Sequence, residues 1–372
     1  MDATLPSPLR AAAAGPYGLA VRLRNHAYSR GWVPLKHLPG PVISVGNLTL
    51  GGSGKTPLVA FLVQALLERG RRPAVLTRGY GRRGPRDPRI LPPGVTPVRP
   101  EIEIGDEAAL LRRRFPRIWM GISADRHAAG SAIAAEAPDS VFVLDDGFQH
   151  RRLHRDLDIL VVDPTRPLAE NRLFPLGTLR EPFAGLRRAH LVVVNAPPHS
   201  PGAVRALAAV RSVAGDMPVF HCIQRIGSLV PYPEWRTGSA SPPPAFRAAF
   251  LAAALGNPGR FRDDVERLGV QVRGSAFFRD HHRLGPRDWA RCLAGARRGA
   301  ADVGLGLVLV VGAAALASGV FDVGQLALFV AYLGWLSFLP RMVAVSSIAT
   351  PASGGLAGRP DVERGDGLFL AG

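Results

Sequence analysis

The segment Gly51-Gly52-Ser53-Gly54-Lys55-Thr56 limits what this chain can become more than any other feature in it. It follows a short apolar run at 41–45 and opens a helical stretch at 57–69. A glycine-rich turn between strand and helix lets backbone N–H groups wrap a phosphate chain, and the helix N-terminus adds a favourable dipole. In that setting Lys55 neutralises the outer phosphates and the Thr56 hydroxyl holds Mg2+. Thr49 stands where such loops usually carry their first glycine, a mild departure because the strand–loop–helix context is intact. The nucleotide-binding set expected here is Asn47, Thr49, Leu50, Gly51, Gly52, Ser53, Gly54, Lys55 and Thr56.

Further apolar runs follow at 73–77, 117–121, 141–144, 159–162 and 191–194, with helical stretches between most of them. That alternation predicts a parallel sheet covered by helices on both faces. The Ser- and Pro-rich stretch at 239–244 reads as a linker or loop tip, and 248–254 as a buried strand or helix start leading into a second unit. The expected fold class is α/β: a P-loop NTPase-like α/β/α core, a smaller α/β lobe and an atypical apolar C-terminal tail. Boundaries are expected at 1–38 for a basic amphipathic segment, 39–222 for the P-loop domain, 223–300 for the smaller lobe with its β linker, and 301–372 for the tail.

With 47% apolar and 20% charged residues the chain reads as globular, not disordered. A net charge of +17 favours anionic partners such as nucleotide phosphates or an acidic membrane surface. The arginines are spread along the chain, with no Arg-rich tail or aromatic-interleaved strand, so nucleic acid is not an expected partner. Residues 8–33 form a weakly amphipathic basic segment in which Leu9, Leu19, Val21, Leu23 and Tyr28 supply apolar surface and Arg10, Arg22, Arg24, His26 and Arg30 supply charge. Such a helix either lies in a membrane interface with its cations near lipid phosphates or packs on its own domain. Cys222 and Cys292 lack CxxC spacing, which argues against a zinc site or a disulfide framework.

The run at 141–144 ends in Asp145-Asp146, and P-loop proteins hold Mg2+ with a carboxylate at that strand tip, directly or through water. Thr56, Asp145 and Asp146 are therefore the expected metal ligands. Asp106 and Glu107 open a helix, where an acid pair is often only a cap. Asp280-His281-His282 reads either as an imidazole oriented to act as a base or as a solvated turn. A GTPase needs an Asn-Lys-x-Asp segment after a late strand; Asn195 sits in that place but continues Ala-Pro-Pro. No nucleophile elbow, HExxH or Cys/His cluster is present.

Several unusual segments follow one another along the chain: Val45-Gly46-Asn47 with the glycine-rich loop, Thr77-Arg78-Gly79-Tyr80-Gly81, Gly105-Asp106-Glu107 and Asp125-Arg126. Then come Leu144-Asp145-Asp146-Gly147-Phe148-Gln149-His150, Leu176-Gly177-Thr178-Leu179-Arg180-Glu181-Pro182, Gly256-Asn257-Pro258 and Phe278-Arg279-Asp280-His281-His282. In this order, over about residues 15–295, they resemble the tetraacyldisaccharide 4'-kinases of lipid A biosynthesis. The resemblance implies that ATP, with Mg2+, phosphorylates the 4'-hydroxyl of a lipid disaccharide 1-phosphate at the cytoplasmic face of the bacterial inner membrane. It implies an Asp–His dyad that maps onto Asp106 and His281, acting with Lys55. It places Tyr80, Glu107, His150, Arg180 and Glu181 on the substrate side. It also implies two α/β/α lobes and a basic apolar N-terminal helix at an anionic membrane surface.

The tail departs from the family. Two nearly continuous apolar stretches at 305–321 and 323–339 replace further α/β sequence, each near the roughly 17–25 residues that span a bilayer. They read as a fused membrane hairpin, which would make the protein tail-anchored rather than peripheral, or as a shift of reading frame near Asp302. The Gly-rich end from 346 reads as frayed. The alternatives from other classes are a P-loop GTPase or metallochaperone and an inactive membrane-associated P-loop protein.

Overall fold

Strands β1 (Val42–Gly46), β2 (Arg72–Thr77), β5 (Ser140–Asp145), β6 (Leu157–Val162) and β7 (Leu191–Val194) are apolar on both faces. That is the pattern of parallel strands covered by helices on both sides. The computed structural model describes residues 7–83, 87–165, 171–225, 248–279, 282, 284–299, 305–309, 343–344 and 368–371. Within them, nine strands form one sheet in the order β13-β8-β7-β6-β1-β5-β2-β4-β3. Its remaining members are β3 (Arg89–Leu91), β4 (Trp119–Ile122), β8 (Val219–Arg225) and β13 (Leu368–Ala371). Among these strands only β3 runs antiparallel to its neighbour, β4.

The two-residue period of a strand sorts the core into layers. Val45, Val75, Val143, Ile159, Val161 and Val193 face α2 (Lys55–Glu68) and α4 (Asp106–Arg114). Ala74, Leu76, Phe142 and Leu144 face the other way, onto Ala129, Ile133 and Ala134 of α5 (Arg126–Glu136). On that same side Leu160, Val162, Val192 and Val194 meet Ala203, Ala206 and Val210 of α6 (Pro201–Ala214) and Leu186 of the 3₁₀ helix Phe183–Arg188. Asp145 follows Val143 by two, so it falls on the face of α2 and α4.

A smaller sheet has the order β10-β9-β11-β12. Its centre, β9 (Ala248–Ala253), lies between β10 (Gln271–Phe277) and β11 (Leu305–Leu309), with β12 (Val343–Ala344) outside β11. Ala249, Leu251 and Ala253 pack on Phe261 and Val265 of α7 (Pro258–Arg267), and Ala248, Phe250 and Ala252 on Cys292 and Ala296 of α8 (Pro286–Gly299).

The helix expected at 8–33 is α1 (Ser7–Ser29). The strands absent from the sequence reading include β3, only three residues long, β8, broken in pattern by His221 and Gln224, and β10, where Arg273, Gly274 and Ser275 interrupt the apolar run. The apolar stretch from 305 begins as a strand because the edge of β9 is open to it, and part of the end expected to fray, Leu368–Ala371, pairs with β8. Those pairings correct the reading at these positions; the rest of 301–372 falls outside the described residues, apart from β12. Among the described residues, no helix is long and apolar enough to cross a membrane.

Arg112 of α4 is fully buried and donates to the carbonyls of Leu91, Pro116 and Ile118 at 3.1, 2.9 and 2.9 Å. It ties β3 and the approach to β4 onto α4, and its removal leaves the buried carbonyls of Leu91 and Ile118 without that donor. Arg112→Ala is expected to lower the unfolding free energy by roughly 1–3 kcal/mol, whereas Arg72→Ala, at an exposed ion pair with Asp139, stays within about 0.5 kcal/mol. Denaturant titration of both variants checks this; equal effects would contradict the buried anchor.

Candidate functional site: a braced phosphate loop at the sheet edge

The loop between β1 and α2 is built from behind. Leu50 N–H donates to Thr178 O and Arg180 N–H to Leu48 O, both at 2.7 Å, so 48–50 pairs with 178–180 around a Thr49–Leu179 bridge. Asn47, expected to touch nucleotide, is instead fully buried; its Nδ2 donates to Ser53 Oγ at 2.9 Å, and its carbonyl accepts from Gln149 Nε2 at 2.8 Å. It braces the loop from inside. Gly54, at the head of α2, has φ +88° and lies so close to Asn195 Nδ2 that a Cβ there would collide with it. A side chain is excluded on both counts.

Charge converges on this loop. Lys55 Nζ stands 3.6 Å from Asp146 Oδ1, and Arg180 Nη1 donates to Asp146 Oδ2 at 2.7 Å. Both oxygens of Asp145, which is 1% exposed, receive no hydrogen bond from the described residues. Burial, then the Glu107 and Asp146 carboxylates, hold Asp145 well above the usual carboxylate range, with Lys55 and Arg126 opposing. Asp146 moves the other way: Lys55, Arg180 and Arg126 outweigh its burial and keep it below that range. Its φ of 53° is the left-handed turn that lets two successive carboxylates face one loop, a conformation Asp tolerates better than most residues. Thr56 Oγ1 lies 3.4 Å from Glu107 Oε1, which brings α4 to the same place.

Gly105 (φ +90°) precedes α4 at a close approach of the chain, where a Cβ would collide with the Tyr80 carbonyl. That contact seats Asp106, 9% exposed, as the first residue of α4 and beside the Gly79-Tyr80-Gly81 turn. Tyr80 is 65% exposed. His150 is pushed down to about 4 by burial and by Arg126, so it is neutral at physiological pH. Glu181, expected on the substrate side, is 2% exposed; it takes two bonds from Arg188 and one each from Gln149 and Asn25. In this structure Glu181 is a strut. Asp280 and His281 lie outside the described residues. His282 is held by Asp288 Oδ2 at 2.9 Å and stacks on Phe278.

Several contributors carried no role in the sequence reading. Arg126 is 6% exposed and acts electrostatically on Asp145, Asp146 and His150. Gln149, Arg188 and Asn195 brace the loop and its flank. Their motifs were visible, but an arginine among 46 basic residues carries no mark of its partner. Helix α1 also reaches the site: Tyr17 Oη donates to Arg180 O at 2.7 Å and Asn25 Nδ2 to Glu181 at 2.9 Å.

A lysine-bearing loop at the C-terminal edge of a parallel sheet, with carboxylates on the neighbouring strand tip, defines a P-loop phosphotransferase. The family model for tetraacyldisaccharide-1-P 4'-kinase matches residues 7–303. The tetraacyldisaccharide 4'-kinase of Geobacter sulfurreducens is 40% identical over 283 residues, 73% of this chain and 74% of that protein. That of Anaeromyxobacter dehalogenans is 39% identical over 292 residues, 75% of each. The crystal structure of the "apo" form of LpxK from Aquifex aeolicus in complex with ATP superposes with a TM-score of 0.58 at 29% identity, covering 83% of this chain and 89% of that one. The chain belongs to the tetraacyldisaccharide-1-P 4'-kinase family, kinases of lipid A biosynthesis that pass phosphate to an alcohol group.

Asp145 is buried against like charge, so its ionised form costs stability in the protein without ligands. Asp145→Asn is expected to raise thermal stability by roughly 0.5–2 kcal/mol while abolishing turnover. Calorimetry beside a kinase assay checks it; a destabilised Asp145→Asn protein would contradict the charge argument.

Proposed function

We propose that the chain transfers the γ-phosphoryl group of ATP to the 4'-hydroxyl of a tetraacyldisaccharide 1-phosphate at a membrane surface. The observation that carries this reading is the Lys55–Asp146–Arg180 chain of charge beside the unpartnered Asp145 carboxylate. Lys55 leaves Asp146 for the phosphate oxygens when nucleotide enters, an exchange of one anion for another. The buried, unpartnered oxygens of Asp145 fit a divalent cation, with Thr56 and Asp146 completing its protein ligands. Mg2+ supplies charge neutralisation to the phosphates when bound. Asp146, already shared between two cations, is the weaker direct ligand of the two.

In the transfer, the 4'-oxygen bonds to the γ-phosphorus, the bond from that phosphorus to the β–γ bridging oxygen breaks, and ADP leaves. Asp106 accepts the hydroxyl proton, supported by His281 from the smaller lobe. Tyr80, Arg180 and His150 face the acceptor. A GTPase reading is disfavoured by Asn195, whose amide is engaged with Ser53 O and Arg260 and is turned away from base reading.

Phosphoryl transfer from labelled ATP to the lipid disaccharide tests this directly. Lys55→Ala should abolish it, with a lower melting temperature because Asp146 and the buried Asp145 lose a cation. Asp106→Ala and His281→Ala should each cost roughly 10²–10⁴-fold in turnover, and the double variant little more than the worse single. Normal turnover of Lys55→Ala would sink the P-loop assignment, and losses that multiply would sink the dyad.

The membrane contact falls to α1. While Tyr17 and Asn25 face the protein, Leu19, Leu23 and the following Trp32 are 58%, 60% and 71% exposed, with Arg22, Arg24 and Arg30 exposed among them. Apolar side chains enter the interface and cations meet anionic headgroups, each worth about 1 kcal/mol and screened within roughly 8 Å at physiological salt. Leu19→Glu with Leu23→Glu should cut co-sedimentation with anionic vesicles roughly tenfold or more, and high salt should weaken the wild type. Unchanged sedimentation in both arms would rule α1 out as the anchor.

A further inference from the structure

The segment Gly256-Asn257-Pro258 lacks a role in the reaction described above, yet it leads α7 of the smaller lobe directly to the phosphate loop. Gly256 Cα comes within 3.8 Å of the position a Cβ on Gly52 would take. Asn257 caps α7 by accepting from Arg260 N–H at 3.1 Å, and its Nδ2 donates to Thr165 Oγ1 at 3.2 Å, just beyond β6. One turn into α7, Arg260 crosses to the end of β7. There its Nη2 donates to Asn195 Oδ1 at 3.0 Å and its Nη1 to Asn195 O at 3.3 Å. Asp264 lies 3.9 Å from Arg260 Nε, on the following turn of the same helix. Asn195, 5% exposed, then donates from Nδ2 to the carbonyl of Ser53 at 3.2 Å, inside the loop itself.

We propose that Arg260 and Asn195 are positioning residues that let the smaller lobe set the geometry of the phosphate loop. The chemistry of the chain fixes its direction. A guanidinium has only donors, so the atom facing Arg260 must be the Asn195 oxygen, and the amide nitrogen is left for Ser53 O. Without Arg260 the amide is free to turn over, and an oxygen against the Ser53 carbonyl repels it. Ser53 O shares a planar trans peptide with Gly54 N–H, which therefore points the opposite way from Asn195. Gly54 heads α2, so the peptide held by this relay is one whose N–H a phosphate on the loop would take. The relay makes loop geometry depend on the smaller lobe being seated, although no residue of that lobe donates to the loop itself through these bonds.

The inference rests on ATP being the phosphoryl donor, and the test separates the two. Michaelis constants for ATP and for the lipid acceptor, turnover and the ATP-induced rise in melting temperature are measured for wild type, Lys55→Ala and the relay variants. Arg260→Ala should raise the Michaelis constant for ATP about tenfold, the weight of one well-made hydrogen bond, with that for the lipid within about twofold. Asn195→Asp, nearly the same shape and still able to pair with Arg260, cannot donate to Ser53 O and should be affected at least as much. Arg260→Lys, which keeps a donor for Asn195 Oδ1, should fall between wild type and Arg260→Ala. Asn195→Ala with Arg260→Ala should be no worse than the worse single change.

An unchanged constant for ATP in Arg260→Ala and Asn195→Asp overturns the relay. So does a parallel rise in both Michaelis constants with a fall in the melting temperature of the nucleotide-free protein, because that pattern belongs to a lobe contact with no directional effect. Wild type that transfers no phosphate from ATP, or a Lys55→Ala protein that equals it, refutes the donor assignment instead.

Discussion

Three carboxylates, Glu107, Asp145 and Asp146, meet Lys55 at the end of β5, and the rest of the molecule is arranged around keeping them there. Like charges that close repel, and a low-dielectric setting magnifies the repulsion. Arg180 answers Asp146 directly and Arg126 acts on both aspartates from its buried place. Asp145 is left with less than it needs. A site of this kind is costly on its own, because burial magnifies every charge that is left unanswered.

The parts that oppose this repulsion come from far apart in the chain. Glu181 holds Arg188, Gln149 and Asn25 on one flank; Thr178 and Arg180 hold the loop backbone; Asn195 holds it on the other flank. Glu181 and Asn195 are buried, the other supporting groups partly so, and all are hydrogen-bonded, the condition under which polar groups rigidify a site rather than weaken it. Rigidity behind the loop contrasts with Tyr80, which is exposed on the solvent side.

Much of this was readable in advance, for a local reason. The loop, the strand ending in Asp145-Asp146 and the helix opened by Asp106 are each defined by residues within one turn of one another. The five apolar runs after the first strand emerged within a residue or two of β2, β4, β5, β6 and β7 because parallel strands buried on both faces have no polar alternation to blur them. What the sequence hid depends on contacts across the chain. Asn195 lies 142 residues from Ser53 and was weighed only as a base-reading residue; Asn47 and Glu181 look like ligands until their burial is known. Arg112 and Arg126 are indistinguishable in sequence from the many arginines that face water. The pairing of Leu305–Leu309 with β9 likewise follows from an open sheet edge, which no hydropathy pattern records.

Helix α1 has one more consequence. Its side chains end on Arg180, Glu181 and Gln149 without an intervening linker, so the surface that would rest on lipid and the pocket beside the phosphate loop belong to one rigid piece. A flexible tether would let the pocket wander through a volume set by linker length, and the local abundance of acceptor would fall as that volume grew. With α1 resting on a membrane as proposed, the height of the phosphate loop above it would be set by the diameter of a helix. An amphiphile whose chains stay in the bilayer and whose sugar stands just outside it would be met at one fixed level, with its lateral diffusion doing the work of delivery.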